Sequence, residues 1–183
     1  MNYISPDACI KEAKYIITQG HSSIASGAQV LGDRKNGKPV ISLGKYTVLA
    51  ENCCLSPSLR VAESSLSSGN SSSTSADISG TKSGKFYPVK IGDYVYIGAR
   101  SVISAASVGS HVLIGSDCVV KDMAVIGDGC VLMPGTVVEP YQKIGSYQIL
   151  EKNGLREMDS GIECIDRFCE LQFQGINSHW PFA

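Results

Sequence analysis

The sequence predicts an all-β chain whose short strands wind into a three-sided prism, with one α-helix near its C-terminal end. Three observations carry that reading: an aliphatic residue recurs every six residues, a small or β-branched residue stands two positions before it, and glycine often follows it directly. The aliphatics run Ile91, Ile97, Ile103, Val108, Ile114, Val120, Ile126, Leu132, Val138 and Ile144, and every step is six except the five from Ile103 to Val108. The second slot holds Val95, Ser101, Val112, Cys118, Ala124, Cys130 and Thr136. A helix repeats every 3.6 residues and a flat strand every 2, so a beat of six belongs to an architecture rather than to one element. In a strand, residues two apart share a face, so both slots point inward, and the glycine sits at the corner that ends each strand. The alternative of a β-sandwich with accidental spacing does not account for an unbroken ladder of this length.

The elements follow in order. For residues 1–20 the pattern gives no firm assignment beyond a short helix that Ser5-Pro6 would open. A weak trace at Ile24, Ala28 and Val30 leads into Leu43-Gly44, Leu49, Leu55 and Val61, with Thr47, Cys53 and Leu59 in the second slot. The repeat therefore spans 22–149. Two segments interrupt it: Arg34-Lys35-Asn36-Gly37-Lys38, a turn-like excursion, and residues 62–87, which hold ten serines and few large apolar residues. The latter composition buries too little to offset ordering entropy and reads as a flexible loop. Beyond the ladder, Ser160-Gly161-Ile162-Glu163 matches a capping box, and Met158, Ile162, Ile165, Cys169 and Phe173 fall at helical spacing. These predict a C-terminal helix over 156–174, laid on the prism. The whole of 1–183 reads as one domain.

Composition narrows the function classes. Sixteen Lys and Arg against 17 Asp and Glu leave a net charge of −1, without the cationic surplus that nucleic acid or an anionic membrane surface requires. No apolar run approaches a membrane span, and the N-terminal residues resemble no secretory signal. The seven cysteines form no CxxC pair, and read as reduced thiols packed as small hydrophobes in a cytoplasmic protein. On the repeat's register Cys53, Cys118 and Cys130 point inward and Cys54 outward. The Asn70-Ser71-Ser72 sequon is then expected to be unused.

The six-residue pattern resembles the hexapeptide-repeat family, which implies a single-stranded left-handed parallel β-helix. That family includes acyltransferases and γ-class carbonic anhydrases, so the residues at their catalytic and metal-binding positions bear on whether this chain carries chemistry. The γ-class passage Ile-Gly-His-x-x-x-Leu-His-Gly-Cys is matched by Ile97-Gly98-Ala99-Arg100-Ser101-Val102-Ile103-Ser104-Ala105-Ala106. Ala99 and Ser104 stand where that resemblance places histidine ligands, and Ser56 takes the remaining position. Leu31-Gly32-Asp33 resembles the family's Arg-Gly-Asp without its arginine. Alanine cannot ligate a metal and a neutral serine hydroxyl is a poor zinc ligand, so no metal and no cofactor are expected. Of the three histidines, His21, His111 and His179, only His111 lies in the ladder. It sits 17 residues, one coil of 6 + 6 + 5, beyond Tyr94, so stacking of exposed rings explains it and no catalytic residue is assigned. Asp93, Asp117 and Asp128 occupy turn slots, where carboxylates bond local backbone.

The slot just before each inward aliphatic points outward, and stacking the coils sorts these residues into columns. Tyr96, Leu113 and Val131 form one stripe; Val102, Val119 and Val137 form a second; Ser107, Val125 and Lys143 mark a more polar third face. Two apolar stripes are more than a solitary prism leaves wet. The C-terminal helix covers one, and the other calls for a partner. The candidate partner-binding residues are Tyr94, Tyr96, Val102, His111, Leu113, Val119, Val131 and Val137.

A more specific resemblance rests on Phe86-Tyr87-Pro88-Val89-Lys90-Ile91-Gly92-Asp93-Tyr94-Val95-Tyr96-Ile97, on Ile103-Ser104-Ala105-Ala106-Ser107-Val108-Gly109-Ser110-His111-Val112, and on Leu132-Met133-Pro134-Gly135-Thr136-Val137-Val138-Glu139-Pro140. These blocks resemble the dynactin subunit 5 family. The resemblance implies a non-catalytic subunit of the dynactin pointed-end complex, set against subunit 6, subunit 4 and the actin-related protein, with a role in cargo and adaptor attachment for dynein-driven transport on microtubules. It implies a hetero-oligomer; an acyltransferase or diverged γ-class enzyme would instead assemble as a homotrimer.

Overall fold

The structure, a computed structural model, describes residues 2–32, 40–61 and 84–157. Their strands form three sheets of eight, six and six members, which are the three faces of a left-handed parallel β-helix. The first face stacks Tyr3–Ile4, Ser23–Ile24, Val48–Leu49, Tyr96–Ile97, Leu113–Ile114, Val131–Leu132 and Gln148–Glu151. The second stacks Cys9–Lys11, Gln29–Leu31, Cys54–Leu55, Val102–Ile103, Val119–Val120 and Val137–Val138, and the third Ile16–Thr18, Ile41–Leu43, Val89–Ile91, Ser107–Val108, Val125–Ile126 and Lys143–Ile144.

The inward columns are those the six-residue beat requires. Ile97 pairs with Ile114, Ile103 with Val120 and Ile126 with Ile144, and the whole set is buried in one core. The second slot is buried too, including Ser101, Cys118, Cys130 and Thr136. Inward hydroxyls are tolerated because they find partners: Ser101 Oγ donates to the Gly115 carbonyl at 2.8 Å and accepts from the Cys118 N–H at 3.0 Å, Thr47 Oγ1 donates to the Gly44 carbonyl at 3.0 Å, and Thr136 Oγ1 lies 3.5 Å from Cys118 Sγ.

The glycine after each third-face aliphatic serves close stacking rather than an unusual φ. A Cβ on Gly92 would lie 2.6 Å from the Gly109 carbonyl carbon, and one on Gly127 2.6 Å from the Ser146 nitrogen. The left-handed residue comes two positions later: Tyr46, Tyr94, His111 and Tyr147 all have φ of 54–59°. Asp93 and Asp128 bond backbone as expected of turn carboxylates, but across coils: Asp93 Oδ1 accepts from the Lys45 N–H at 2.6 Å and Asp128 Oδ1 from the Ser110 N–H at 2.7 Å.

Five expectations need correction. The β-helix begins at Tyr3, not at residue 22, and Ser5-Pro6 opens a corner rather than a helix. The signal was present, since Ile4, Ile10 and Ile16 keep the six-residue step. Val61 is not a rung of the prism: the third-face rung after Leu55 is Val89–Ile91, while Ser58–Val61 leaves to pair antiparallel with Gly84–Tyr87. The base of the serine-rich segment is therefore a two-stranded ribbon, and the expectation of a loop fails at 84–87; residues 62–83 lie outside the described residues, as does the Arg34–Lys38 excursion. Finally, Gln148–Glu151 folds back on Gly154–Glu157 in an antiparallel hairpin, so Arg156 and Glu157 are strand. The rest of the expected helix, 158–174, lies outside the described residues.

The ribbon is tied to the prism at the corner where the repeat is short. In a regular corner the left-handed residue donates its N–H to the coil before, as Tyr141 does to the Asp122 carbonyl at 3.0 Å. The five-residue step from Ile103 to Val108 lacks that corner residue, which leaves the Met123 N–H without its usual acceptor. Ser58 supplies one: its buried Oγ accepts from the Met123 N–H at 2.6 Å.

Candidate functional site

The register places the candidate surface residues in the columns that the coil length requires. Tyr96, Leu113 and Val131 align on the first face, Val102, Val119 and Val137 on the second, and Ser107, Val125 and Lys143 on the third. On the first face Tyr96, Leu113 and Val131 are half-buried, and the outward Ser23 and Val48 in the same column are buried. The second face is more open. Val102 is 40% exposed and Val137 47%, with Val119 half-buried between them. Cys54 pairs with Val102 in the same register and lengthens this stripe by one coil; its outward position follows from the slot before Leu55.

Two ion pairs frame the second face. At the corner leading into it Arg100 meets Asp117 in a two-pronged contact, Nε and Nη2 both 2.7 Å from the carboxylate oxygens. The adjacent guanidinium holds the Asp117 carboxyl below its usual range. At the corner leading out, Lys121 Nζ lies 2.7 Å from Glu139 Oε2. An apolar stripe bounded by polar edges is the anatomy of a protein interface, and because these edge charges are matched within the chain, the apolar column is what remains for a partner to cover.

Tyr94 and His111 belong to a different site. Their rings stack at the corner between the third and first faces, with centroids 5.2 Å apart and planes 8° from parallel, and the stack continues to Tyr46 at 4.8 Å and to His21 at 4.9 Å beyond that. Four rings from four successive coils thus form one ladder. The Tyr94–His111 step was legible in the 17-residue coil; Tyr46 and His21 were hidden by the long insertions between coils. The structure does not bring this ladder together with the second-face valines.

The positions expected from γ-class likeness can now be located. Ser56 and Ser104 are neighbours, their hydroxyls 2.9 Å apart, on adjacent coils where the second face ends. Ala99 lies at the opposite corner, just after Ile97-Gly98, where its carbonyl accepts from the Asp117 N–H. Among the described residues no three His, Cys, Asp or Glu side chains are placed to share a metal ion. Burial pushes the inward Cys53 thiol up to about 12 and raises that of Cys130 as well, so both are held protonated. Among the described residues no helix is long and apolar enough to cross a membrane.

Comparison with known proteins separates fold from family. Among solved structures the chain is similar to a hexapeptide transferase family protein from Anaplasma phagocytophilum, at 16% identity and TM-score 0.60, covering 98% of this chain and 93% of that one. It is also similar to AntD, an N-acyltransferase from Bacillus cereus solved with dTDP and 3-hydroxybutyryl-CoA, at 14% identity and TM-score 0.62, covering 96% and 88%. A putative acetyltransferase from the same organism matches at 15% identity and TM-score 0.55, over 95% and 88%. At such identities these likenesses establish the β-helix and nothing of its chemistry. No curated protein sequence matches. The family model for dynactin subunit 5, however, matches residues 7–167, most of the chain, including the Cys9–Lys11 and Ile16–Thr18 strands of the first coil that the repeat alone had left unassigned. The chain belongs to the dynactin subunit 5 family.

Proposed function

We propose that this dynactin subunit performs no catalysis and acts by binding, as a member of the pointed-end complex that contributes to assembly and to the attachment of cargo adaptors for dynein-driven transport along microtubules in the cytoplasm. Its expected neighbours are subunit 6, subunit 4 and the actin-related protein, in a hetero-oligomer. The observation that carries this reading is the column Val102–Val119–Val137, apolar and open to solvent between two internally matched ion pairs. Ala99, Ser56 and Ser104 at the positions of the γ-class ligands argue in the same direction. Tyr96, Leu113 and Val131 on the first face, and Tyr94 with His111 at the corner, are secondary contact candidates.

The test compares two neighbouring residues that face opposite ways. Val119→Asp puts a carboxylate in the middle of the exposed stripe, where solvent reaches it. Recovery of the other dynactin subunits on the tagged full chain is expected to fall at least tenfold, with an unchanged thermal midpoint. Val120→Asp, one residue on, buries a charge inside the prism at a cost of several kcal/mol and is expected to unfold the chain. Undiminished recovery with Val119→Asp would remove the second face from the interface.

The acyltransferase reading draws on the likeness to AntD and its relatives. It requires a homotrimer that binds coenzyme A between subunits. Mass measurement of the purified chain with and without acetyl-coenzyme A separates the two: a stable homotrimer that retains the cofactor would overturn the binding role.

A further inference from the structure

The hairpin that closes the first sheet turns on Lys152-Asn153, and its second strand, Gly154–Glu157, is the outermost of that sheet. Asparagine followed by glycine is chemically labile, because the missing Cβ lets the next backbone nitrogen approach the carboxamide carbon. The chain's other such step, Asn36-Gly37, lies outside the described residues. Three asparagines fall among the described residues, and two of them are held. Asn2 Nδ2 donates to Thr18 Oγ1 at 2.8 Å, Asn2 Oδ1 accepts from the Ser22 N–H at 3.1 Å, and the following N–H, that of Tyr3, donates to the Ser22 carbonyl at 2.8 Å. The Asn52 carboxamide fills the space that a side chain at Gly27 would take, and the Cys53 N–H donates to the Ala50 carbonyl at 3.4 Å. Asn153 stands apart. It is exposed, its carboxamide has no hydrogen-bond partner among the described residues, and Gly154 follows it at φ 138° with no atom within 4 Å of where a Cβ would stand.

Ring closure at Asn153 needs the turn to relax, and little holds it. The pair Glu151–Gly154 is the last of its ladder, where local opening is easiest. All four residues of Gly154–Glu157 are exposed, so the strand is kept in place by its ladder to Gln148–Glu151 and by the contact of Arg156 Nη2 with Glu151 Oε1 at 3.2 Å. The turn sets Leu150 opposite Leu155 and Ile149 opposite Arg156. In a hairpin that register follows from the length of the loop, so one additional backbone atom between Lys152 and Gly154 displaces every pair beyond it.

We propose that Asn153 is a site of spontaneous modification, and that its conversion to isoaspartate unlatches the C-terminal hairpin. The Gly154 nitrogen bonds to Asn153 Cγ and the Cγ–Nδ2 bond breaks; the proton lost from the Gly154 nitrogen, passed through solvent, leaves with Nδ2 as ammonia. Water then opens the succinimide ring. Addition at Cγ breaks the Cγ–N bond and restores the ordinary chain with aspartate at position 153. Addition at the main-chain carbonyl carbon of residue 153 breaks its bond to nitrogen instead, and leaves the chain running through Cγ, one carbon longer. One water enters, one ammonia leaves, and nothing is oxidised or reduced. Both products carry a new carboxylate beside Lys152, but only isoaspartate lengthens the turn. Loss of the hairpin removes the strand opposite Leu150, the buried inward residue of the last rung, and leaves Gln148–Glu151 with an open edge. The inference uses no part of the binding surface proposed above.

The test ages the purified full chain in mildly alkaline buffer and maps its peptides by mass spectrometry, with fragmentation that separates aspartate from isoaspartate. Methyl transfer by a protein isoaspartate methyltransferase gives a second readout. Isoaspartate is expected to form at position 153 at least tenfold faster than at positions 2 and 52, and faster still as pH rises. Conversion at 153 no faster than at those two positions would overturn the proposal. Amide exchange on the aged chain reads the structural effect. The isoaspartyl fraction is expected to lose at least tenfold in protection at the bonded amides of Gly154–Glu157, while Asn153→Gln, aged in parallel, keeps it. Asn153→Asp supplies the charge without the extra atom and is expected to hold the hairpin closed. An equal loss of protection in Asn153→Asp, or full protection in the isoaspartyl chain, would sink the role assigned to turn length.

Discussion

Ser58 shows how much one hydroxyl can decide in this fold. The five-residue corner removes a carbonyl that every regular corner presents to the next coil, and Ser58, from a segment 65 positions away, replaces it at 2.6 Å from the Met123 N–H. The contact is buried, so its loss leaves a donor that water does not reach. Ser58→Ala is therefore expected to lower stability by about 1–3 kcal/mol, read as an earlier urea midpoint with an unchanged slope. Restoring a sixth residue between Ile103 and Val108 would supply the missing carbonyl and is expected to relieve the defect of Ser58→Ala; an additive loss would mean that Ser58 acts otherwise. None of this was visible in the sequence. The short step was legible as an irregularity, but its partner lies across a long insertion, and nothing in the local pattern around Ser58 marks it as an acceptor.

At the scale of single elements, the corners that begin at Gly44, Gly92, Gly109 and Gly127 combine a glycine stacked on its neighbours with a left-handed residue two positions on. For tyrosine or histidine a left-handed backbone costs about 1–2 kcal/mol, and ring stacking returns about 0.5–1.5 kcal/mol per pair, so the ladder from His21 to His111 offsets much of the strain its own positions impose. Gly129 interrupts the rings for a reason: a Cβ there would lie 2.5 Å from Cδ1 of Tyr147, whose ring fills the space a side chain would take. Gly129→Ala, which adds the left-handed penalty and displaces Tyr147, is expected to destabilise by about 1–3 kcal/mol, measured by thermal melting; Tyr147→Ala introduced alongside it should recover the steric share alone. The legible and illegible parts divide here along a physical line. Inward columns, outward stripes and the Tyr94–His111 step depend only on coil length, which the spacing encodes directly. The ribbon at Ser58–Val61 depends on pairing with Gly84–Tyr87, a contact that no periodicity marks. The closing hairpin did carry a local sign in Asn153-Gly154, with Gly154 at φ 138°, but helical spacing farther on drew Arg156 and Glu157 into the wrong element. The first coil went unread because the step from Ile16 to Ile24 is eight, which broke the beat before it joined the main ladder.

For the whole molecule, the candidate site was legible as two apolar columns, and the structure discriminates between them: the first face is buried at Ser23 and Val48, whereas the second stays open at Val102 and Val137. Such a stack is held by nearest-neighbour contacts, each coil bonded to the one before and the one after, so its stability is distributed along the axis rather than concentrated at one nucleus. That arrangement makes a definite prediction about local opening. The central strands, Tyr96–Ile97 and Leu113–Ile114, have partners on both sides, and their amides open only when the stack is interrupted. Tyr3–Ile4 has a strand on one side only among the described residues, and the Ile4 amide faces away from it. Amide hydrogen exchange on the isolated full chain should accordingly be slowest at the inward-bonded amides of the central coils. It should accelerate at least tenfold per coil toward the bonded amides of Ser23 and then Tyr3, tenfold being about 1.4 kcal/mol of opening free energy. Equal protection from Tyr3 to Leu150 would mean that the prism opens as one cooperative unit, and that its N-terminal coil needs no neighbour to be held in place.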